Sequence, residues 1–144
     1  MIIRVDVAID ASPNDVWTFV EPIERHVDWM ADAARITFCG EQTRGIGTEF
    51  DCLTTIGPFR LNDRMVVTEW EPGRVMGIEH RGLVTGRGRF TIAADADRTR
   101  FAWTEVLRFP AWMGGALGEL AAKPVLEGVW RRNLRTLRTL VERA

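Results

Sequence analysis

Residues 2–10 alternate, with Ile3, Val5, Val7 and Ile9 on one side and Arg4, Asp6, Ala8 and Asp10 on the other. A period of two with one apolar face predicts a half-buried strand. The pattern breaks at Ser12-Pro13-Asn14-Asp15. Ser12 is a suitable cap, Pro13 suits the first helical position, and Asp15 stands where a capping box places its carboxylate. A short helix through Val16, Trp17, Phe19 and Val20 follows. Pro22 starts a second short helix, whose apolar positions are Ile23, Val27 and Met30. From Arg35 the period returns to two, predicting strands near 34–40, 47–56, 60–70, 74–81, 86–94 and 99–109. Turn residues separate them: Gly45 and Gly47, Gly57-Pro58, Pro72-Gly73, Gly82 to Gly86, and Asp95-Ala96-Asp97. Strands joined by such short turns form an antiparallel meander. After Pro124, Leu126, Trp130, Leu134, Leu137 and Val141 step by three or four, the stripe of a helix. Residues 112–122 also read as helical, weakened by Gly114, Gly115 and Gly118, and Pro124 predicts a kink or break.

Charges divide each strand into faces. Arg100 and Arg108 mark the outside of the last strand, so Phe101, Trp103, Glu105, Leu107 and Phe109 point inward. The same reasoning sends Phe90 and Ile92 inward from 86–94, Met76, Ile78 and His80 from 74–81, and Phe50, Cys52, Thr54 and Ile56 from 47–56. In 60–70, Leu61, Asp63, Met65, Val67 and Glu69 share a face, unless a bulge intervenes.

Composition narrows the class. The chain has 144 residues, 46% of them hydrophobic, with a net charge of −1. That length suits one domain, 1–144. The charge gives no reason to expect nucleic acid, and the arginines of the last helix read as a solvated face. No apolar run is long enough to span a bilayer, and the alternating start does not resemble a signal peptide, so a cytoplasmic location is expected. Cys39 and Cys52 read as reduced thiols; with His26 and His80 they make no metal motif, and no cofactor is implied. No phosphate-binding loop or Ser/Cys nucleophile motif is present. Six Trp and seven Phe occur beside no Tyr, so no phenol is available as an acid.

Three stretches carry a resemblance. Val7-Ala8-Ile9-Asp10-Ala11-Ser12-Pro13-Asn14-Asp15-Val16-Trp17, Val67-Thr68-Glu69-Trp70-Glu71-Pro72-Gly73-Arg74 and Thr99-Arg100-Phe101-Ala102-Trp103 are similar to the opening strand and helix, the mid-sheet hairpin and the last strand of the START/Bet v 1-like (SRPBCC) superfamily. Within it the chain looks most like the bacterial polyketide cyclase/dehydrase and lipid-transport group. The resemblance implies an α+β helix-grip fold: a curved seven-stranded antiparallel sheet around a long C-terminal helix, with two short helices after the first strand and an apolar cavity between sheet and helix.

In such a fold the inward Phe50, Thr54, Met76, Ile78, Phe90, Phe101 and Trp103 would line the cavity. Leu117, Leu120 and Trp130 would join them from the helix, and Trp112 would stand at the entrance. Trp17, Trp29 and Trp130 sit at core spacing. Trp70 reads as a partly exposed sheet residue, and His26, among Glu24, Arg25 and Asp28, as solvated. Glu105, between Trp103 and Leu107, is too costly to bury alone. It requires a partner, a wet cavity or a raised pKa, which makes it a candidate acid/base or anchor. His80 and Asp63, also inward by phase, are the other candidates.

Three functions fit. The first is a module, monomeric or homodimeric, that binds a small hydrophobic molecule such as a lipid, polyketide or aromatic. The second is a cyclase/dehydratase-type enzyme using Glu105 with His80 or Asp63 for proton transfer. The third is a protein-interaction domain. Convergence of two or more of these polar residues on one cavity point favours the enzyme. One isolated polar group favours simple binding.

Overall fold

The computed structural model describes residues 1–144. Seven strands form one sheet: β1 (Ile2–Ile9), β2 (Ala33–Phe38), β3 (Glu49–Ile56), β4 (Phe59–Glu71), β5 (Val75–Arg81), β6 (Thr85–Asp95) and β7 (Arg98–Arg108). Their spatial order is β1-β7-β6-β5-β4-β3-β2, and every neighbouring pair is antiparallel. The meander β2 to β7 follows from its short turns, and β1 closes the far edge by pairing with β7.

Helix α1 (Pro13–Val20) begins as its cap predicts, with the Asp15 amide donating to Ser12 Oγ at 3.1 Å. The next segment, Ile23–Asp28, is a 3₁₀ helix rather than a turn of α-helix. Its repeat of three residues brings Ile23, His26 and Trp29 to one buried face and leaves Val27 exposed. That corrects the placement of His26 in solvent.

Helix α2 (Gly115–Arg143) runs through Pro124 without ending. Proline removes one amide, which would otherwise bond residue 120, and Leu120 lies on the exposed side, where the loss is tolerated. The predicted stripe of Leu126, Trp130, Leu134, Leu137 and Val141 is buried. Its distal part packs in one cluster with Ile3 and Val5 of β1 and Val16 and Val20 of α1. Toward the N-terminal end of α2 the residues turned inward are small (Gly118, Ala121, Ala122), and the space between helix and sheet stays open.

A register shift in β4 between Val67 and Glu69 reverses the faces beyond it. Glu69 therefore faces outward, where Arg89 forks its carboxylate, and Trp70 turns in, edge-on to Trp17 at 5.2 Å between ring centroids. The strict alternation assumed for 60–70 fails at that bulge.

Candidate functional site

The open space is a cavity of about 700 Å³, and 24 of its 34 lining residues are hydrophobic. A volume in this range accommodates a drug-sized apolar molecule. Phe50, Thr54, Met76, Ile78, Phe90, Trp103, Trp112 and Trp130 line it, as do Asp63, His80 and Glu105.

Three expected lining residues are elsewhere. Phe101 points inward but is fully covered, with its ring centroid 5.2 Å from Phe90 and 6.2 Å from Trp29. Leu117 and Leu120 are exposed, because Gly118, Ala121, Ala122 and Val125 form the cavity face of α2 by helical spacing and the two leucines are turned away from it. Trp112 is at the mouth and 70% exposed, in company with exposed Phe59 and Val125.

The polar candidates meet in one chain of hydrogen bonds. His80 Nδ1 lies 2.7 Å from Asp63 Oδ2 and Nε2 lies 2.8 Å from Glu105 Oε2. The Trp103 indole N–H donates to Glu105 Oε1 at 3.0 Å. All four side chains are buried.

The sheet explains how His80 reaches Glu105. His80 is on β5 and Glu105 on β7, with β6 between them. The β6 residues opposite them are Gly86 and Gly88. Neither has a side chain to block the path, and a Cβ on Gly88 would overlap the Glu105 carboxylate oxygens. Two inward-phased glycines opposite an inward carboxylate were the available sequence sign of this bridge.

A neutral imidazole donates one hydrogen bond, whereas a ring flanked by two carboxylates donates two. Burial lowers the His80 pKa, but the hydrogen bonds and charges of Asp63 and Glu105 outweigh it and raise the group to about 10. The ring is therefore an imidazolium at neutral pH. Asp63 Oδ1 remains buried without a partner.

A second polar cluster supports the helix side of the wall. Asp32 accepts from Trp130 Nε1 at 3.1 Å and from Asn133 Nδ2 at 2.7 Å, while Asn133 Oδ1 accepts from the Ala31 amide at 3.0 Å. Trp130 stacks on Trp103 with centroids 4.7 Å apart and planes 21° from parallel. Each indole of the stack is thus tied to a carboxylate, Trp103 to Glu105 and Trp130 to Asp32. Sequence reasoning missed Asp32 and Asn133. Asn133 stands one position before Leu134 on the inner side of α2, and a buried Asn at such a place needs a partner.

His26 also borders the cavity. It lies 5.4 Å from Trp29 and 5.7 Å from Phe90 by ring centroids, with Nε2 2.7 Å from the Val20 carbonyl. Burial lowers its pKa to about 4, so this ring is neutral. Burial likewise pushes the Cys52 thiol up to about 11, with Asp63 and Asp32 adding to the effect, so Cys52 is no nucleophile at neutral pH. No group of three or more His, Cys, Asp or Glu side chains is arranged to hold a metal ion.

The family described as polyketide cyclase / dehydrase and lipid transport matches residues 2–142. The chain belongs to this family. Solved structures agree on the fold of this cyclase/dehydrase-family chain. TTHA0849 from Thermus thermophilus superposes with a TM-score of 0.81 at 14% identity, covering 98% of this chain and 97% of that one. The Zhui aromatase/cyclase from a Streptomyces species gives 0.74 at 19% identity over 99% and 94%. The di-domain ARO/CYC StfQ of the steffimycin biosynthetic pathway gives 0.81 at 15% identity, over 99% of this chain and 50% of that protein. No curated protein matches the sequence significantly. No helix is long and apolar enough to cross a membrane.

Proposed function

We propose that the chain takes up a small hydrophobic molecule, such as a polyketide, aromatic or lipid, and acts on it as a cyclase/dehydratase-type enzyme by proton transfer. The observation that carries this reading is that Asp63, His80 and Glu105 form one hydrogen-bonded chain on the wall of an otherwise apolar cavity. The apolar wall folds and orients the molecule, and orientation supplies much of the rate in a cyclisation. Glu105 is the base, taking a proton from a carbon next to a carbonyl. It returns that proton to a departing hydroxyl, so that C–H and C–O bonds break, a C=C bond forms and water leaves. His80, charged at neutral pH, holds both carboxylates in place and offsets their repulsion.

A second reading is a carrier that binds without reaction. It is favoured by the saturation of His80, whose two nitrogens are both engaged, and by a pKa far from neutrality.

Native mass spectrometry of freshly purified protein, followed by conversion assays on what copurifies, separates the two. Under the enzyme reading, Glu105→Gln retains the bound molecule but stops its conversion, and Trp103→Ala weakens binding. Unchanged conversion in Glu105→Gln would refute the assigned base. A purified protein that carries and binds no apolar molecule would refute both readings.

A further inference from the structure

The inner wall of the cavity has almost no free hydrogen-bond donor. Both nitrogens of His80 are engaged by carboxylates. The indole N–H groups of Trp103 and Trp130 are engaged by Glu105 and Asp32. The neutral His26 donates through Nε2 to the Val20 carbonyl, which leaves Nδ1 able only to accept. The Thr54 hydroxyl is turned to Cys52 Sγ, 3.8 Å away. Of the two lining arginines, Arg89 is forked on Glu69 outside the sheet and Arg60 is exposed on the β3–β4 hairpin at the mouth.

Acceptors, by contrast, are in surplus. Asp32, Asp63 and Glu105 carry three carboxylates against one imidazolium. Asp63 Oδ1 has no partner but is itself covered, against the Gly82 turn. The acceptors that line the cavity are Glu105 and Asp32, each of whose oxygens accepts one hydrogen bond and has a lone pair left. A ligand donor that meets one of these lone pairs regains in the cavity the hydrogen bond it gives up in water. A ligand carboxylate brings two more acceptors and a further negative charge into the same desolvated space.

We infer that the cavity selects apolar molecules whose inward end is a hydrogen-bond donor (a phenol, alcohol or amine) and discriminates against free carboxylic acids. The inference rests on the reading of the cavity as a ligand site, but not on catalysis. It narrows the substrate class: an enolic or phenolic chain enters with its hydroxyl toward Glu105, whereas a fatty acid is a poor occupant.

Isothermal titration calorimetry at neutral pH with 2-naphthol and 2-naphthoate tests it, since the two share one apolar frame and differ in the polar group. The expected result is binding of 2-naphthol roughly tenfold or more tighter than 2-naphthoate. In Glu105→Gln a cavity acceptor becomes an amide donor, and the ratio is expected to fall to within about threefold. Equal or tighter binding of 2-naphthoate by the natural chain would overturn the inference and leave the cavity reading standing. Binding of neither compound would overturn both.

Discussion

His26 and His80 are the chain's two histidines, and both are buried on the wall of one cavity. They are in opposite charge states. His26 sits among Trp29 and Phe90 with a single backbone carbonyl as partner, so burial dominates and the ring is neutral. His80 is as deeply covered, but two carboxylates outweigh burial and the ring is charged. Depth alone therefore does not set the protonation of a residue in this molecule; the partners within hydrogen-bond reach do. One side of the cavity is consequently an apolar, uncharged floor, and the other a charged cluster able to polarise or anchor what enters.

The comparison is broken most severely by removing the cation. His80→Ala leaves Asp63 and Glu105 buried with no positive partner, and a loss of about 3–5 kcal/mol in unfolding free energy is expected from urea denaturation. His26→Phe removes one neutral hydrogen bond and fills the same aromatic floor, so its loss is expected below about 2 kcal/mol. Equal effects of the two substitutions would contradict the assigned difference in charge.

The pH dependence follows with opposite signs. The folded-state pKa of His26 is depressed from 6.5 to about 4. The unfolded chain binds the extra proton between those values, so stability from His26 is present above 6.5 and lost as pH falls toward 4. For this group the loss is on the order of 3 kcal/mol. His80 is raised from 6.5 to about 10, so its contribution is full below 6.5 and lost as pH rises toward 10. Unfolding free energies measured across this range should decline on both sides. His26→Phe should flatten the acid limb between 6.5 and 4 and leave the alkaline limb unchanged.

Smaller effects sharpen the bridge across β6. Gly88→Ala forces the Glu105 carboxylate away from His80, with about 1–3 kcal/mol lost to overpacking and a lowered His80 pKa. Gly128→Ala, in α2 where a Cβ meets nothing within 4 Å, should instead stabilise by up to about 1 kcal/mol. A harmless Gly88→Ala in thermal denaturation would show that the carboxylate does not need that space.

The parts of the fold legible in the sequence were those that repeat. The alternation in β1 and β7, the spacing of Leu126 to Val141 and the Ser12 cap each reappear in the structure. Inward phase also placed Asp63, His80 and Glu105 on the cavity side. Departures from an ideal period were not legible. The 3₁₀ repeat turned His26 inward, and the β4 bulge turned Glu69 out and Trp70 in. Helical phase alone moved Leu117 and Leu120 off the wall, since their apolar character suggested an inward role that Gly118 and Ala121 in fact occupy. The Asp32–Asn133 contact joins residues 101 positions apart, and no local pattern encodes such a pair.

Nitrogen-15 NMR of the two imidazole rings through a pH titration reaches the central claim most directly. His80 should show two protonated ring nitrogens at neutral pH and hold them well past pH 8, while His26 stays a neutral Nε2–H ring until the pH nears 4. A His80 that loses its second proton near 6.5, as a histidine in water does, would contradict the charged bridge between Asp63 and Glu105.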